Sequence, residues 1–319
     1  MVQHFLKPLS IQLGFRLVYE IDDATSSQDI PIYNRGYDAF NDPKRQDNIR
    51  CIMELCDLIT VTTTYLKQNV SKRYGIPENK IVAIPNLLPN WWIGDRYDVE
   101  KKVQQFQNNK ARPRIGIISS LSHFNISHKL DENGKEIQDD IHTVLQTIED
   151  TVQDVEWVVL GYAHPELKKW IDAGKVQYHP CVPILQYPSR LNGLGLQAIV
   201  APLQDNEFNR CKSPIKFLEG CALGVPVFCP NMLPYAGVVP QNHIYSSQEE
   251  LKDKLLKLKF SSAGAYKKTI EENWKWLNSP HEDGNCKLNN YWLESNLGIW
   301  IDMFRLPSKN KPNKGDTTK

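Results

Sequence analysis

Short apolar runs alternate with amphipathic segments along most of this chain, and the alternation predicts strands separated by helices. Strands that alternate with helices favour an α/β fold with parallel, doubly wound sheets. Ligands of such sheets bind where the strands end at their carboxyl edge. The strands predicted by single apolar runs cover 16–21, 56–62, 80–86, 114–119, 155–160 and 176–180.

Helices are predicted between several of these strands. Apolar residues at Ile49, Ile52 and Met53 share one helical face, and the segment 63–74 predicts a helix that ends at Gly75. A further helix is predicted over 142–152. The segment 104–113 is mostly polar and predicts a linker between two domains.

The segment 198–228 carries the most information about chemistry, because it predicts a strand, a polar loop, a short helix and a second strand. Ser213 before Pro214 predicts a capped helix start, and Gly224 predicts its end. Lys212 and Lys216 lie in or beside the first turn, where the helix dipole disfavours cations. Two lysines beside free backbone N–H groups are explained if a phosphate occupies that end. The alternative is a solvated amphipathic helix with incidental lysines.

Other polar residues of this segment fit the same ligand. Glu219 lies about one turn deeper than the lysines and can accept hydrogen bonds from a ribose diol, as acidic residues do in dinucleotide sites. Asn206, Phe208 and Asn209 precede the lysines, where a transferred sugar is expected, and an Asn side chain suits sugar hydroxyls.

The segment resembles the donor-binding region of GT-B glycosyltransferases of the GT4-like group. Lys216, Glu219 and the run Gly224-Val-Pro-Val227 match that group's phosphate lysine, ribose glutamate and following strand. Many GT4 enzymes carry another glutamate where this chain has Cys211. The chain resembles instead a variant with Asn-x-x-Lys-Ser, present here at 209–213.

More of the chain is similar to this family in the right order. The run 57–66 followed by Ile84-Pro-Asn86 resembles the close of a GT-B N-terminal domain, and 116–123 resembles the first strand and loop of the second domain. The run 292–304 resembles the final helix, which returns to the first domain. Few residues precede Asp22 and Asp23, so we expect roughly the first βαβ unit to be missing. Either the chain is a shortened, phage-type family member, or its true start lies upstream.

The resemblance implies two Rossmann-like domains, with the N-terminal one incomplete. We expect the acceptor-side domain at 1–107, completed by a helix at 288–307, and the nucleotide-sugar-binding domain at 108–287. The polar tail 308–319 is expected to be disordered.

Two further groups of residues follow predicted strands. Asp22 and Asp23 end the first one and face a cleft in which they orient the acceptor or contact the donor; the alternative is an N-cap pair for the next helix. Ser119, Ser120 and His123 follow the strand 114–119. They offer donors to a diphosphate or sugar, or else serve as ordinary turn and surface residues.

Composition narrows the class of protein without naming a substrate. The chain has 319 residues, a net charge of +1, 41% hydrophobic and 24% charged residues, as in a globular protein with room for two cores. Its seven cysteines form no paired ligand motif, which disfavours a metal site and favours a reducing compartment. With no signal-peptide core and no run long enough to span a bilayer, a cytoplasmic location is expected.

We therefore expect a glycosyltransferase that moves a hexosyl or pentosyl group from a nucleotide-sugar donor to a hydroxyl. Retention of configuration is implied by the resemblance alone. The acceptor is a glycan, a lipid-linked sugar or a modified DNA base, no cofactor is expected beyond the donor, and the need for a divalent cation and the oligomeric state stay open. Two alternatives remain: a phage enzyme that glycosylates hydroxymethylated bases, which the near-zero charge weakens, and a noncatalytic nucleotide-sugar binder.

Overall fold

The computed structural model describes residues 5–94, 96–284 and 286–305, so the predicted disordered tail 308–319 lies outside the described residues. The strands are β1 (Val18–Ile21), β2 (Leu58–Val61), β3 (Ile81–Ala83), β4 (Arg114–Ser119), β5 (Glu156–Gly161), β6 (Val176–Pro180), β7 (Ala198–Val200), β8 (Val227–Pro230), β9 (Ile244–Tyr245), β10 (His281–Asp283) and β11 (Cys286–Leu288). The α-helices are α1 (Lys7–Leu13), α2 (Tyr37–Phe40), α3 (Pro43–Leu55), α4 (Thr64–Tyr74), α5 (Val99–Asn109), α6 (Leu145–Thr151), α7 (Lys168–Asp172), α8 (Tyr187–Gly193), α9 (Glu207–Arg210), α10 (Ile215–Ala222), α11 (Gln248–Phe260), α12 (Ala263–Leu277) and α13 (Leu297–Arg305).

Two parallel sheets organise the molecule. The first has the order β1-β2-β3 and, with the helices packed on it, forms what we call the N-terminal lobe. The second has the order β6-β5-β4-β7-β8-β9 and forms the C-terminal lobe. The strands β10 and β11 pair as a separate antiparallel ribbon.

The chain reverses its direction of winding between β4 and β7. Ile115 of β4 lies beside Trp157 of β5 on one side and beside Ala198 of β7 on the other, and all these pairings are parallel. Strands are therefore added outward on both sides of this pair, which makes it the topological switch point of the sheet. Open α/β sheets leave a crevice at the carboxyl ends of such strands.

The strands of the C-terminal lobe are buried on both faces, as parallel strands between helix layers must be. Trp157 and Val159 of β5 point into one apolar cluster with α6 and α11, whereas Val158 and Leu160 point into the other with α10. This alternation explains why β5 is a continuous apolar run in the sequence.

The last helix contacts the N-terminal lobe. Met303 of α13 packs against Leu58 and Ile84 beside the first sheet, and the Arg16 guanidinium donates a hydrogen bond of 3.0 Å to the Met303 carbonyl. The domain boundaries at 107 and 288 stay predictions.

Several predicted elements are confirmed and one is wrong. The helix α4 has the Thr63 hydroxyl as its N-cap and Gly75 at φ 71° as its C-cap, and β4 and β6 have the predicted bounds. The predicted linker 104–113 is wrong, since its first six residues complete α5. One apolar residue decides this: Phe106 is fully buried and stacks on Tyr266 of α12 with ring centroids 4.2 Å apart. The helix predicted over 142–152 begins instead as a 3-10 turn at Asp140–Thr143 before α6.

None of the described helices combines the length and apolarity that a bilayer-spanning helix needs.

The helix α5 also buries a lysine. Lys102 is 3% exposed, and its ammonium nitrogen has no hydrogen-bond partner among the residues that the structure describes. Burial, with a smaller effect from Lys101, lowers the pKa of Lys102 to about 8. Below that pH the folded protein carries a buried, unpaired charge.

We expect this lysine to make the protein more stable as the pH rises from 8 to about 10.4, the pKa of an unfolded lysine. In this window the unfolded chain binds a proton that the folded protein has released, so stability rises with pH. The substitution Lys102→Met should raise the free energy of unfolding at pH 7 by up to about 3 kcal/mol and remove the rise. Urea denaturation at pH 7, 8, 9 and 10 measures both effects. The exposed neighbour Lys101→Met should keep the rise, and a wild-type stability that is flat over this window would contradict the assignment.

Candidate functional site

A cavity of about 180 Å³ lies where the carboxyl ends of the two sheets face each other. Its N-terminal wall follows β1 and β3, and its C-terminal wall follows β4, β7 and the start of α10. The lining residues are Asp22, Asp23, Asn86, Ile118, Ser119, His123, Phe124, Ala201, Pro202, Leu203, Lys212, Ser213, Ile215, Lys216 and Tyr235.

Two further cavities adjoin the first and share residues with it. One, of about 180 Å³, lies at the ends of β4, β5 and β6, where Ser119, His123 and Lys216 form the shared wall. The other, of about 300 Å³, lies beyond Asn86 and Lys212, towards the start of α4. Together the three cavities form a trough across the switch point. Its volume is in the range found for small-molecule sites.

Both predicted lysines reach this trough, and each is paired with a carboxylate. The Lys212 ammonium lies 3.2 Å from Asp23 across the lobes, and the Lys216 ammonium lies 3.0 Å from Glu219 on its own helix. Partly exposed pairs of this kind contribute about 0–1 kcal/mol. An anion with two or more charges can therefore displace either carboxylate.

The helix α10 begins differently from the prediction. It has eight residues, its N-cap is Pro214, and the Ser213 side chain makes no capping bond, so the predicted serine cap is wrong. The Asn86 amide of the N-terminal lobe donates to the Ser213 hydroxyl at 2.7 Å instead. The N–H groups of Ile215 and Lys216 have no acceptor within the described part of the chain. They remain available to an anion in the cavity.

Glu219 is held by a tyrosine that the sequence did not single out. Tyr187 donates a hydrogen bond of 3.0 Å to the Glu219 Oε2 atom, which the Lys216 ammonium also contacts. Burial, together with the Glu219 charge, raises the pKa of Tyr187 well above its ordinary value, so its hydroxyl stays protonated. The Oε1 atom of Glu219 has no partner among the described residues and can accept from a ligand hydroxyl.

The end of β4 and the loop after it carry three serines and His123. The Ser119 hydroxyl donates to the Tyr162 carbonyl at 3.0 Å. The Ser120 and Ser122 hydroxyls lie 2.8 Å apart, so one of them donates to the other, and the hydroxyl that accepts keeps its own proton for a further bond. His123 ends the short 3-10 helix Leu121–His123 and lines two of the cavities. Its Nδ1 lies 2.6 Å from the Asp140 carboxylate.

Asp140 is the residue of this site that sequence reasoning missed. It is 1% exposed, and its Oδ1 atom accepts hydrogen bonds from the Tyr33 hydroxyl, the Gln204 N–H and the Asn209 amide at 3.2, 2.8 and 2.8 Å. The polar residues before it in the sequence gave no sign of this burial. The available signal was the apolar pair after it, Ile141 and Val144.

Asn206 and Asn209 do not line the central cavity. The Asn206 side chain caps α9 and donates to the Tyr33 hydroxyl at 3.1 Å, and the Asn209 amide, 1% exposed, donates to Asp140 and to the Gln204 carbonyl. Both amides are occupied by protein partners. Their placement supports Asp140 and does not support the predicted contacts with a sugar.

Asp22 and Asp23 both line the cavity. The alternative role as N-caps is wrong, because the next helix, α2, begins at Tyr37 with Gly36 as its cap. The structure therefore brings both aspartates together with the two lysines and His123.

One group of side chains in the described ranges has the spacing of metal ligands: Asp139, His142 and His164. The His164 Nδ1 accepts from the Glu166 N–H, so its Nε2 carries the proton and donates to Asp139 at 3.0 Å. Burial alone would raise the pKa of Asp139, but bonds from both histidines and the Asn125 N–H outweigh it and lower that pKa. These bonds make a closed structural network, and a metal ion would have to displace the Nε2 proton.

Comparisons with known proteins bear on the fold. No family model matches the sequence, and no curated protein is significantly similar to it. A glycosyltransferase from Rickettsia africae ESF-5 superposes with a TM-score of 0.52 at 15% identity, over 90% of this chain and 69% of that chain. Anabaena Alr3699/HepE, in complex with UDP and glucose, gives a TM-score of 0.54 at 12% identity, over 84% and 68%. TarM gives 0.54 at 13% identity, over 90% of this chain and 50% of its own.

Identities this low establish the architecture and leave the activity to be argued from the site. What this chain shares with these structures is the α/β architecture with parallel sheets. The protein thus has the GT-B fold, with two Rossmann-like units facing each other.

Proposed function

We propose that this protein is a glycosyltransferase that moves a sugar from a nucleotide-sugar donor to a hydroxyl group. The observation that carries the proposal is the meeting of Lys212, Lys216 and the start of α10 in one cavity at the switch point, opposite Asp22 and Asp23. The structures that share this fold are glycosyltransferases, which supports a role in sugar transfer.

The donor diphosphate occupies the central cavity. Transfer breaks the bond between the anomeric carbon and the phosphate oxygen, and the diphosphate leaves with the electron pair. The acceptor oxygen bonds to the carbon, and its proton passes to the departing phosphate oxygen. Negative charge grows on the diphosphate, where the two ammonium groups and the N–H groups of Ile215 and Lys216 stabilise it. Preorganised donors of this kind act most strongly on the transition state.

The nucleoside extends towards β5 and β6. Glu219 lies near this end of the trough, and its Oε1 atom accepts from the ribose hydroxyls while Tyr187 holds Oε2. The base enters the cavity lined by Gly161, Cys181 and Val182. The UDP-bound Anabaena neighbour supports a nucleoside diphosphate donor and leaves the base of this chain's own donor open.

The acceptor enters from the N-terminal lobe, where Asp22 and Asp23 orient its hydroxyl. We favour a glycan or lipid-linked sugar over duplex DNA, because a net charge of +1 offers little attraction to a phosphate backbone. Retention of configuration and a cytoplasmic location belong to this proposal as well.

The direct test is a thermal-shift screen of the purified protein with uridine, guanosine, adenosine and thymidine diphosphate sugars, with Mg²⁺ and with EDTA. A donor at 100 times its Kd should stabilise the fold by about 2.7 kcal/mol. Release of the nucleoside diphosphate in the presence of glycan acceptors then measures transfer. Stabilisation without release or transfer would favour a noncatalytic binder, and no response to any donor would refute the proposal.

The substitution Lys216→Ala should remove about 2–4 kcal/mol of transition-state stabilisation and so lower kcat. This is the range for the loss of one preorganised donor. At that size the rate falls about 30- to 1000-fold. Steady-state kinetics with the donor identified by the screen provides the measurement. The exposed Lys168→Ala serves as the control, and equal turnover in the two variants would remove Lys216 from the diphosphate site.

The substitution Glu219→Ala should act mainly on binding. Hydrogen bonds to charged groups contribute about 1.5–3 kcal/mol, so the donor Kd should rise about 10- to 100-fold while kcat changes little. Calorimetry with the nucleoside diphosphate measures this, with the exposed Glu249→Ala as the matched variant. An unchanged Kd would exclude the ribose role.

A further inference from the structure

We propose that Tyr33 is a positioning residue that sets the orientation of His123 through Asp140, so that the histidine is ordered for transfer when the two lobes are together. The inference rests on the proposed function for its kinetic consequence. Its structural content, a tyrosine of one lobe acting on a histidine of the other, stands on contacts in the described structure.

The contacts form a short chain across the lobes. Tyr33, on the loop after β1, donates its hydroxyl to Asp140 Oδ1 at 3.2 Å, and Asp140 Oδ2 lies 2.6 Å from His123 Nδ1. Tyr33 is 4% exposed and Asp140 is 1% exposed, so water does not compete for these bonds. A hydrogen bond in such surroundings is stronger than one in water.

The direction of each bond follows from its partners. The Asn206 amide donates to the Tyr33 oxygen, which leaves the hydroxyl proton for Asp140. Burial, reinforced by the Asp140 charge, raises the pKa of Tyr33, so the proton stays on the phenol. A carboxylate only accepts, so His123 carries its proton on Nδ1. In the neutral ring, Nε2 then offers a lone pair at the wall of the cavity.

That lone pair has a clear use. His123 lines the cavity that also holds Asp22 and Lys212, and its Nε2 has no partner among the described residues. It can accept a hydrogen bond from a hydroxyl of the donor sugar or the acceptor. The opposite tautomer would present an N–H to the same hydroxyl and lose this bond.

The link depends on the lobes being close. Asp140 and His123 follow β4 and belong to the C-terminal lobe, whereas Tyr33 belongs to the N-terminal lobe. The next residue, Asn34, donates to the carbonyl of Ser122 at 3.0 Å, beside His123 in the same 3-10 helix. Two consecutive residues of one lobe thus hold both the carboxylate and the backbone that place the histidine.

The test compares Tyr33→Phe with Tyr74→Phe. Tyr74 is also a buried tyrosine of the N-terminal lobe and donates to the Gln46 amide oxygen at 3.1 Å, but it does not touch Asp140 or His123, which makes it the matched control. We expect Tyr33→Phe to lower kcat about tenfold, with the donor KM within twofold of wild type, and Tyr74→Phe to leave kcat within twofold. An unchanged kcat in Tyr33→Phe, or an equal loss in both variants, would overturn the proposal.

A double-mutant cycle separates positioning from general destabilisation. In a His123→Ala background, Tyr33→Phe should have no further effect on kcat, because the residue through which it acts is gone. A second tenfold loss in that background would show that Tyr33 acts by another route and would overturn the proposal.

A spectroscopic readout keeps the proposal testable apart from turnover. Side-chain ¹⁵N NMR of histidine-labelled protein, with the His123 signals assigned from His123→Ala, should show the Nδ1–H tautomer in wild type. In Tyr33→Phe the His123 nitrogen signals should shift, because Asp140 no longer holds the ring in the same orientation. Identical spectra would overturn the inference. If wild type transfers no sugar from any donor, the proposed function fails, and this comparison decides the role of Tyr33 by itself.

Discussion

The site depends on a carboxylate that has almost no contact with water. A buried charge of this kind costs several kcal/mol unless hydrogen bonds satisfy it. Asp140 meets this requirement with four donors from three separate parts of the chain: Tyr33, His123, and Gln204 together with Asn209. Losing one donor is expensive, so the loops after β1, β4 and β7 are held in a single arrangement. The arrangement of these three loops around the cavity is therefore a consequence of the hydrogen bonds that Asp140 needs.

Electrostatic balance explains how two lysines can lie in the same cavity. Lys212 and Lys216 would repel each other and the start of α10 if both were free. Asp23 and Glu219 neutralise them in the unliganded protein, and the pairs are weak because part of each stays exposed to water. A diphosphate carries more charge than either carboxylate and also meets the backbone N–H groups. The site is therefore stable without a ligand and still favours one.

The sequence predicted those parts of the structure that local patterns determine. The helix α4 carries its own cap at Thr63 and its own stop at Gly75, and β4 lies between clear boundaries. The failures have equally physical reasons. The helix α5 is polar except for a few positions, and the stacking of Phe106 on Tyr266, far away in the chain, makes it a helix. The Ser213 hydroxyl accepts a hydrogen bond from Asn86 and does not cap α10. Asp140 bonds to residues that are 17 to 107 positions away in the chain. No local window contains that information.

The segment between the asparagines and the lysines joins the two lobes in a way that links the whole site. Phe208 and Cys211 follow β7 in the chain, yet both are buried in the apolar cluster of the N-terminal lobe with Ile21 and Leu66. Full burial of a side chain such as Phe208 contributes about 1.5–3 kcal/mol, as much as a hydrogen bond to a charged group. Lys212 directly follows Cys211, and Asn209 lies between Phe208 and Cys211 in the chain. A shift of the N-terminal lobe therefore moves a lysine of the proposed diphosphate site and a hydrogen-bond donor of Asp140 together. The position of the lobes thus controls the charge and the histidine of the site at once.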